Sequence, residues 1–296
     1  MSKLDPAFLF RRLCAALPGE LLKDLFVTGS LAAAYAFRIR LVGQAVNTKD
    51  ADLMVHPAGN VVAAQRMAEE LFKAGWRATE QCKPLAQLPD RLEKLWAIRL
   101  MPPTESDYFI EFLNIPAGEQ ELPKVWIPVR LSNGWYGLPS FKFMGLMESF
   151  RRRSDEGIEY ACPEMMALSN LLSHRSLDDV EIESGEFRGL RRCAKDLGRT
   201  IALAYLSGRE ETQSWVGHWH DALVKCFPRS WREHARSAGS GLRELLVDDQ
   251  AMEEARMTTE SGLLSGMAID VPALRGIGER LLMDAVEPLE QSAGPA

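Results

Sequence analysis

Two aspartates stand one residue apart and lead directly into an apolar segment, Asp50 and Asp52 in DADLMV. In a strand, side chains two residues apart project to the same face, so both carboxylates are expected to lie together. Such a pair repels and is costly without a partner, and a divalent cation such as Mg²⁺ binds hard carboxylate oxygens. Taken alone, the motif fits equally a pair of aspartates at a solvated strand end.

A third acid, Glu111, lies in the middle of another apolar segment, YFIEFLN. The alternation of this segment predicts a strand with Glu111 on one of its faces. If this strand neighbours the first, Glu111 joins the aspartate pair in a three-carboxylate cage. Such a cage suits Mg²⁺ in phosphoryl chemistry, where two ions stabilise the attacking and leaving oxygens.

A candidate phosphate-binding site precedes these acids in the chain, in the segment FVTGS that ends in Gly29 and Ser30. Glycine allows backbone to approach a ligand closely, and the N-terminus of a helix attracts anions. We therefore predict that Gly29 and Ser30 hold the outer phosphates of a nucleotide. An ordinary serine N-cap is the alternative interpretation. A Walker loop is excluded, because no GKS or GKT follows.

These three elements follow one another along the chain: VTGS at 27–30, DADL at 50–53 and IEFL at 110–113. The chain here resembles the nucleotidyltransferase superfamily that includes DNA polymerase β, over roughly residues 20–115. The resemblance implies that Asp50, Asp52 and Glu111 are catalytic and bind Mg²⁺. It also implies that an NTP is the substrate and lies in a cleft between this domain and the one that follows.

Within that superfamily the chain looks most like the AbiEii-type nucleotidyltransferase toxins. Residues 160–175, YACPEMMALSNLLSHR, resemble the helix start of their second domain, and residues 191–206 resemble a downstream element. The latter makes Lys195 and Asp196 candidate nucleotide-binding residues. Ser169 or Asn170 stands where that family has a lysine. The resemblance implies a toxin that modifies RNA, with the tRNA 3′ end as the first candidate, and an antitoxin protein as partner.

Two other functions remain open at this point. A small-molecule adenylyltransferase acting on cationic antibiotics would suit an acidic protein. A catalytically silent nucleotidyltransferase fold that only binds a partner or nucleotide would suit the departure at Ser169 and Asn170. The sequence also contains two basic clusters, Arg151–Arg153 and a second one formed by Arg188, Arg191, Arg192 and Lys195. They could bind RNA phosphates at the rim of the site, or form ordinary ion pairs on helices.

The elements that must position these residues follow from the apolar periodicity and the helix-capping signals. We predict an α/β (α+β) fold, with a mixed-sheet core at 1–161 and a helical domain at 162–296. In the core we expect strands at 25–28, 50–55, 76–80, 95–100 and 108–113, helices at 8–17, 31–38 and 61–73, and hairpin material at 116–143. In the second domain we expect helices at 163–174, 189–206, 215–226, 230–236, 241–247 and 271–285.

The composition limits the class of protein. The chain has 296 residues, 46% of them hydrophobic, and a formal net charge of −6, which excludes a generally basic surface. No apolar segment approaches the roughly 18–20 residues that span a bilayer, so we expect no membrane association. Arg11 and Arg12 interrupt the N-terminal apolar segment, which favours an amphipathic helix over a signal peptide. The five scattered cysteines lack CxxC spacing and predict free thiols in a cytoplasmic protein.

Overall fold

The structure, a computed structural model, describes residues 4–41, 48, 50–104, 108–174, 180–182 and 187–294. It divides into two compact units. The first contains the chain up to Tyr35 and the chain from Asp50 to Ala161; the second contains Ala36 to Leu41 and the chain from Cys162 onward. The sequence prediction kept 1–161 together, whereas the structure assigns the short segment after Tyr35 to the second unit. Arg40 in that segment donates a hydrogen bond to the carbonyl of Leu206.

The first unit is built on a sheet of parallel and antiparallel strands, which confirms the predicted α/β class and its mixed sheet. Its strands are β1 (Leu25–Thr28), β2 (Asp50–Val55), β3 (Arg77–Ala78), β4 (Arg99–Met101), β5 (Phe109–Asn114), β6 (Lys124–Leu131), β7 (Gly134–Phe141), β8 (Arg151–Arg153) and β9 (Glu159–Ala161). The helices are α1 (Pro6–Ala16), α2 (Gly29–Ala36) and α3 (Val61–Lys73).

The order of the main path of the sheet is β3-β4-β5-β2-β1-β9-β8, and β7 pairs with both β5 and β6. Strand β2 is therefore central. It runs antiparallel to β1 on one side and parallel to β5 on the other. The predicted neighbour relation between the aspartate strand and the glutamate strand is thus present in the fold.

Both sides of the central strands β2 and β5 contribute to the core of this unit. Alternate residues of β2 and β5, such as Leu53 and Phe112, are fully buried. Helix α3 buries its alanine, methionine and leucine stripe, and Asn60 caps it by accepting a hydrogen bond from the backbone N–H of Ala63 at 3.2 Å. The polar positions of β2 and β5 alternate with Leu53 and Phe112 and share the other side of the sheet with the buried Met54 and Leu113.

The described part of the second unit is mainly helical, with an isolated bridge between Glu181 and Arg191. Its helices are α4 (Pro163–Ser173), α5 (Arg192–Ser207), α6 (Arg209–Cys226), α7 (Trp231–Ser237), α8 (Ser240–Val247), α9 (Asp249–Ser261), α10 (Val271–Leu281), a π-helical turn (Leu282–Val286) and α11 (Glu287–Ser292). Among the helices that the structure describes, none combines the length and apolar character that crossing a bilayer requires.

Candidate functional site

A row of four paired residues crosses the middle of the sheet. On β1, Thr28 is paired with Asp52 of β2; Asp52 is paired with Glu111 of β5; and Glu111 is paired with Arg99 of β4. Residues that are paired across strands project to the same side of a sheet. The structure therefore brings two of the three predicted acids together, on the side of the sheet opposite Leu53 and Phe112 and next to the buried Met54 and Leu113.

Asp50 belongs to the same side, because it lies two residues before Asp52 on one strand. It is exposed, whereas Asp52 is partly buried. The hydroxyl of Thr48 donates a hydrogen bond of 2.8 Å to Asp50 Oδ1. All three predicted acids thus share one side of neighbouring strands, and this geometry leaves their chemical roles as predictions.

Gly29 adjoins this group through Asp52. Its φ of +71° lies in the left-handed region, which side chains other than glycine rarely adopt. A Cβ atom added at this position would overlap Asp52 Oδ2. The absence of a side chain at residue 29 therefore lets the carboxylate of Asp52 approach the backbone where β1 becomes a helix.

Ser30 lies in the first turn of α2 and is partly buried. The sequence prediction began this helix after Ser30, and the structure begins it at Gly29, so that both predicted phosphate-binding residues are in the helix itself. The short apolar side chains of the helix are buried, including Ala32 and Ala33. The N-terminus of α2 thus lies next to Asp52, where its free N–H groups favour an anion.

Arg99 is a neighbour of the predicted acids that the sequence analysis missed. Its Nε donates a 2.7 Å hydrogen bond to Glu111 Oε2, in a pair whose side chains are 35% and 13% exposed. Burial opposes the charge on Arg99, but the Glu111 carboxylate, with a smaller contribution from Asp50, raises the pKa of Arg99 above its ordinary value. The only signal in the sequence was an arginine in an apolar strand, in AIRLM.

This ion pair explains how two acids can lie directly opposite each other. Like charges at paired positions of neighbouring strands destabilise a sheet. Arg99 compensates the Asp52–Glu111 pair from the next strand, so the partner that Glu111 requires is an arginine in this structure.

The donor chemistry of the site fits a divalent cation on the aspartate side. Asp50 and Asp52 offer hard oxygens on one strand face, and the Asp52 carboxylate fills the space that the missing side chain of Gly29 provides. Within the described part of the chain, no group of three or more His, Cys, Asp or Glu side chains is arranged to hold a metal ion. Because Glu111 is engaged by Arg99, Asp50 and Asp52 are the residues that would hold Mg²⁺, which remains a prediction.

Lys195 and Asp196, the predicted nucleotide contacts of the second half, lie in the first turns of α5, in the second unit. The Asp196 carboxylate is 3.8 Å from Arg192 Nε and 3.9 Å from Arg199 Nη1. Its side chain is 14% exposed, so two neighbouring arginines already balance its charge. The role of both residues in nucleotide binding remains a prediction.

Two members of the basic clusters have structural partners. Arg151 Nη1 lies 3.3 Å from Glu159 Oε2 across the β8–β9 pair. Arg191 donates to Glu254 at 3.0 Å and to Asp248 at 3.1 Å. These contacts favour the interpretation of both residues as ordinary ion pairs, not as parts of an RNA-binding rim.

Comparison of the chain with protein-family models, curated proteins and solved structures found no match in any of the three.

Proposed function

We propose that this protein is a Mg²⁺-dependent nucleotidyltransferase, in which an acceptor hydroxyl attacks the α-phosphorus of an NTP, takes the NMP group and releases pyrophosphate. The observation that supports it best is the position of Asp52, paired with Glu111 on the next strand and adjoining Gly29 at the start of a helix. This combination unites carboxylates for a cation with a helix N-terminus for phosphate, two requirements of nucleotidyl transfer.

Each residue has a separate role in this proposal. Gly29 and Ser30 bind the outer phosphates through the N-terminal N–H groups of α2. Asp50 and Asp52 hold Mg²⁺, which when bound supplies positive charge to the phosphates and to the acceptor oxygen. Glu111, held by Arg99, positions the acceptor hydroxyl or accepts its proton. Catalysis then rests on positioning and on electrostatic stabilisation in a fixed environment.

The acceptor in this proposal is RNA, with the tRNA 3′ end as the first candidate and a role as the toxin of a toxin–antitoxin pair. This part rests on the resemblance of the motifs to the AbiEii-type toxins. An antibiotic adenylyltransferase shares the chemistry but differs in the acceptor, so an acceptor assay separates the two.

One observation favours a second candidate, a nucleotide-binding protein without transfer activity. Arg99 already satisfies Glu111, the acid that the transfer reaction would use. If this pair persists with nucleotide bound, the site binds an NTP and leaves it intact.

The test is incubation of the full chain with each α-³²P-labelled NTP, Mg²⁺ and either total tRNA or a cationic aminoglycoside. We expect label on RNA, and we expect Asp52→Asn to reduce it about a hundredfold or more while the protein stays folded. Asp90→Asn is the matched control, because Asp90 is an exposed aspartate of the same unit.

Each outcome has a distinct meaning. Label on the aminoglycoside identifies a small-molecule transferase. Bound but uncleaved NTP identifies the silent binding protein. Transfer by Asp52→Asn at the rate of the Asp90→Asn control contradicts the proposed site.

A further inference from the structure

The longest strands of the sheet, β6 and β7, form a hairpin with two very different faces. Their register pairs Lys124 with Phe141, Trp126 with Pro139, Pro128 with Gly137, and Arg130 with Trp135. Paired residues and residues two apart share a face, so these eight positions form one face. We use the term aromatic–basic face for its five large side chains, Lys124, Trp126, Arg130, Trp135 and Phe141.

The opposite face of the hairpin belongs to the core. Val129, Leu131, Tyr136 and Leu138 are each at most 2% exposed. On the aromatic–basic face, by contrast, the two cations are exposed and the three aromatic rings are partly exposed. Two small residues on the same face as the rings, Gly137 and Pro139, are buried, so this face is partly covered and its large side chains are the parts that reach the surface.

The cations of this face lie over its rings. Lys124 Nζ is 4.2 Å from the centroid of Trp126 and 5.3 Å from that of Phe141, and Arg130 Cζ is 5.4 Å from that of Trp135. Each cation thus keeps its charge at the surface beside an aromatic plane. The indole of Trp126 packs directly on the backbone of β7, because a Cβ added at Gly137 would lie 2.6 Å from Trp126 Cε3.

The charge of this part of the chain is the reverse of the whole. From Leu122 to Met147 there are three basic residues, Lys124, Arg130 and Lys142, and no aspartate or glutamate, in a protein of net charge −6. An acid-free segment with two of its three cations on one face of the hairpin is complementary to a polyanion. The aromatic rings favour a ligand that also carries flat groups able to stack on them, which a simple polyanion lacks.

The aromatic–basic face lies on the same side of the sheet as the acids of the candidate site. Strand β5 pairs with β7 at Asn114 and Ser140, both of which are buried on the side of the sheet that holds Phe112. The alternate positions therefore share the other side, Glu111 on β5 and Phe141 on β7. Both features belong to the first unit, so their placement on one side follows from this sheet alone.

We propose that the aromatic–basic face binds single-stranded nucleic acid. On binding, Lys124 and Arg130 turn away from the rings to contact the phosphates, and the bases stack on the surfaces of Trp126, Trp135 and Phe141 that this uncovers. A single strand meets both requirements, because its bases are free to stack, whereas duplex bases are already stacked on one another. The eight-residue strands extend about 26 Å, which is enough for about four nucleotides. This binding does not depend on the transfer chemistry proposed above.

The experiment measures the affinity of the full chain for fluorescein-labelled 16-nucleotide oligo(U) and oligo(dT) by fluorescence anisotropy, in 50 mM and 200 mM salt. We expect binding that weakens with salt, and we expect Lys124→Glu to weaken it about tenfold, because one phosphate contact becomes a repulsion. Trp126→Leu is expected to weaken binding about tenfold through the loss of stacking.

Arg232→Glu is the matched control. Arg232 also lies over a tryptophan, with Cζ 4.5 Å from the centroid of Trp231 on α7, and its substitution changes the net charge by the same amount. We expect this variant to bind like the wild type. Comparison of oligo(U) with oligo(dT) shows whether RNA or DNA is preferred.

The proposal is overturned if the wild-type protein fails to bind either oligonucleotide at micromolar concentrations. It is also overturned if Lys124→Glu and Arg232→Glu weaken binding equally, or if a duplex of the same length binds as tightly as the single strands. Lys124 is exposed, so its substitution tests the surface without disturbing the core.

Discussion

Asp52 lies in the middle of a row of side chains, between Thr28 on one strand and Glu111 on the next. Thr28 is 2% exposed and its hydroxyl lies 2.7 Å from the sulfur of Met147, so this end of the row is packed. At the other end, Arg99 balances Glu111. Asp52, an acid that costs stability in a sheet, thus lies between the packed hydroxyl of Thr28 and the ion-paired Glu111. A local cost of this kind is expected at functional sites.

The contact between residue 29 and Asp52 gives a test at this scale. Gly29→Ala is expected to lose about 1–2 kcal/mol of unfolding free energy through its left-handed backbone. It is also expected to displace the Asp52 carboxylate, and with it the proposed transfer activity and Mg²⁺ binding. Chemical denaturation and the α-³²P-NTP assay measure the two effects.

Gly59→Ala is the control for this substitution. Gly59 has a φ of +76° but nothing within 4 Å of an added Cβ, so it carries the backbone cost without a clash. Equal loss of activity in both variants would contradict a specific contact between residue 29 and Asp52.

The Arg99–Glu111 pair predicts a coupling between two substitutions. Arg99→Met leaves Glu111 opposite Asp52 without its cation, and we expect the free energy of unfolding to fall by about 2–4 kcal/mol. Removing the second charge as well, in Arg99→Met with Glu111→Gln, should restore part of this loss. Denaturation of the two single variants and the double variant measures the coupling free energy, and additive effects would show that the pair contributes nothing specific.

At the scale of elements, the sequence predicts best where one principle dominates. The bounds of β2 and α3 match their predictions, because DADLMV ends at a proline turn and α3 has both an asparagine cap and a clear apolar stripe. The approach of β2 to β5 was also foreseeable, since each acid needed a partner. The identity of that partner was not, because Arg99 reaches Glu111 only through the pairing of β4 with β5, which no local pattern encodes.

The elements that the sequence analysis missed have weak local signals. Strand β8 consists of three arginines and forms only by pairing with β9, which itself pairs with β1. Helix α9, DQAMEEARMTTES, is polar over most of its surface, so its apolar periodicity is faint. The sequence did contain an N-cap residue for this helix, Asp248, which accepts a 3.0 Å hydrogen bond from the N–H of Ala251. In these cases tertiary pairing and capping outweigh the pattern on which the prediction relied.

The junction of α5 with α9 gives a test at the scale of elements. Arg191, just before α5, donates to Glu254 of α9, whose side chain is only 9% exposed. Arg191→Ala is therefore expected to leave a buried carboxylate without its cation and to cost about 3–5 kcal/mol of unfolding free energy. Arg192→Ala is the neighbouring control, because Arg192 is 53% exposed and should change stability by about 0.5 kcal/mol or less. Similar stability of the two variants would refute the structural role of Arg191.

On the scale of the whole molecule, charge is distributed unevenly within an acidic chain. The net charge of −6 favours binding of cations, while the acid-free segment of β6 and β7 favours a polyanion. The aspartates of β2 and the cations of this hairpin occur on the same side of the sheet in the first unit. The proposed cation site on β2 and the proposed polyanion site on the hairpin would together suit a phosphate-bearing polymer despite the acidic pI.

The last prediction concerns the stability of the whole chain in Mg²⁺. A ligand that binds only the folded state raises its stability in proportion to the logarithm of the ligand concentration, by about 2.7 kcal/mol at one hundred times Kd. We therefore expect the thermal midpoint of the wild type to rise between 0.1 and 10 mM Mg²⁺ at constant ionic strength, set with NaCl. Asp50→Asn and Asp52→Asn should each remove most of this rise, because each loses a carboxylate that holds the ion. Asp90→Asn, which changes the net charge equally, should keep it. An equal rise in all four proteins would mean that Mg²⁺ acts through the general negative charge of the chain, and the aspartates of β2 would then have no special part in binding it.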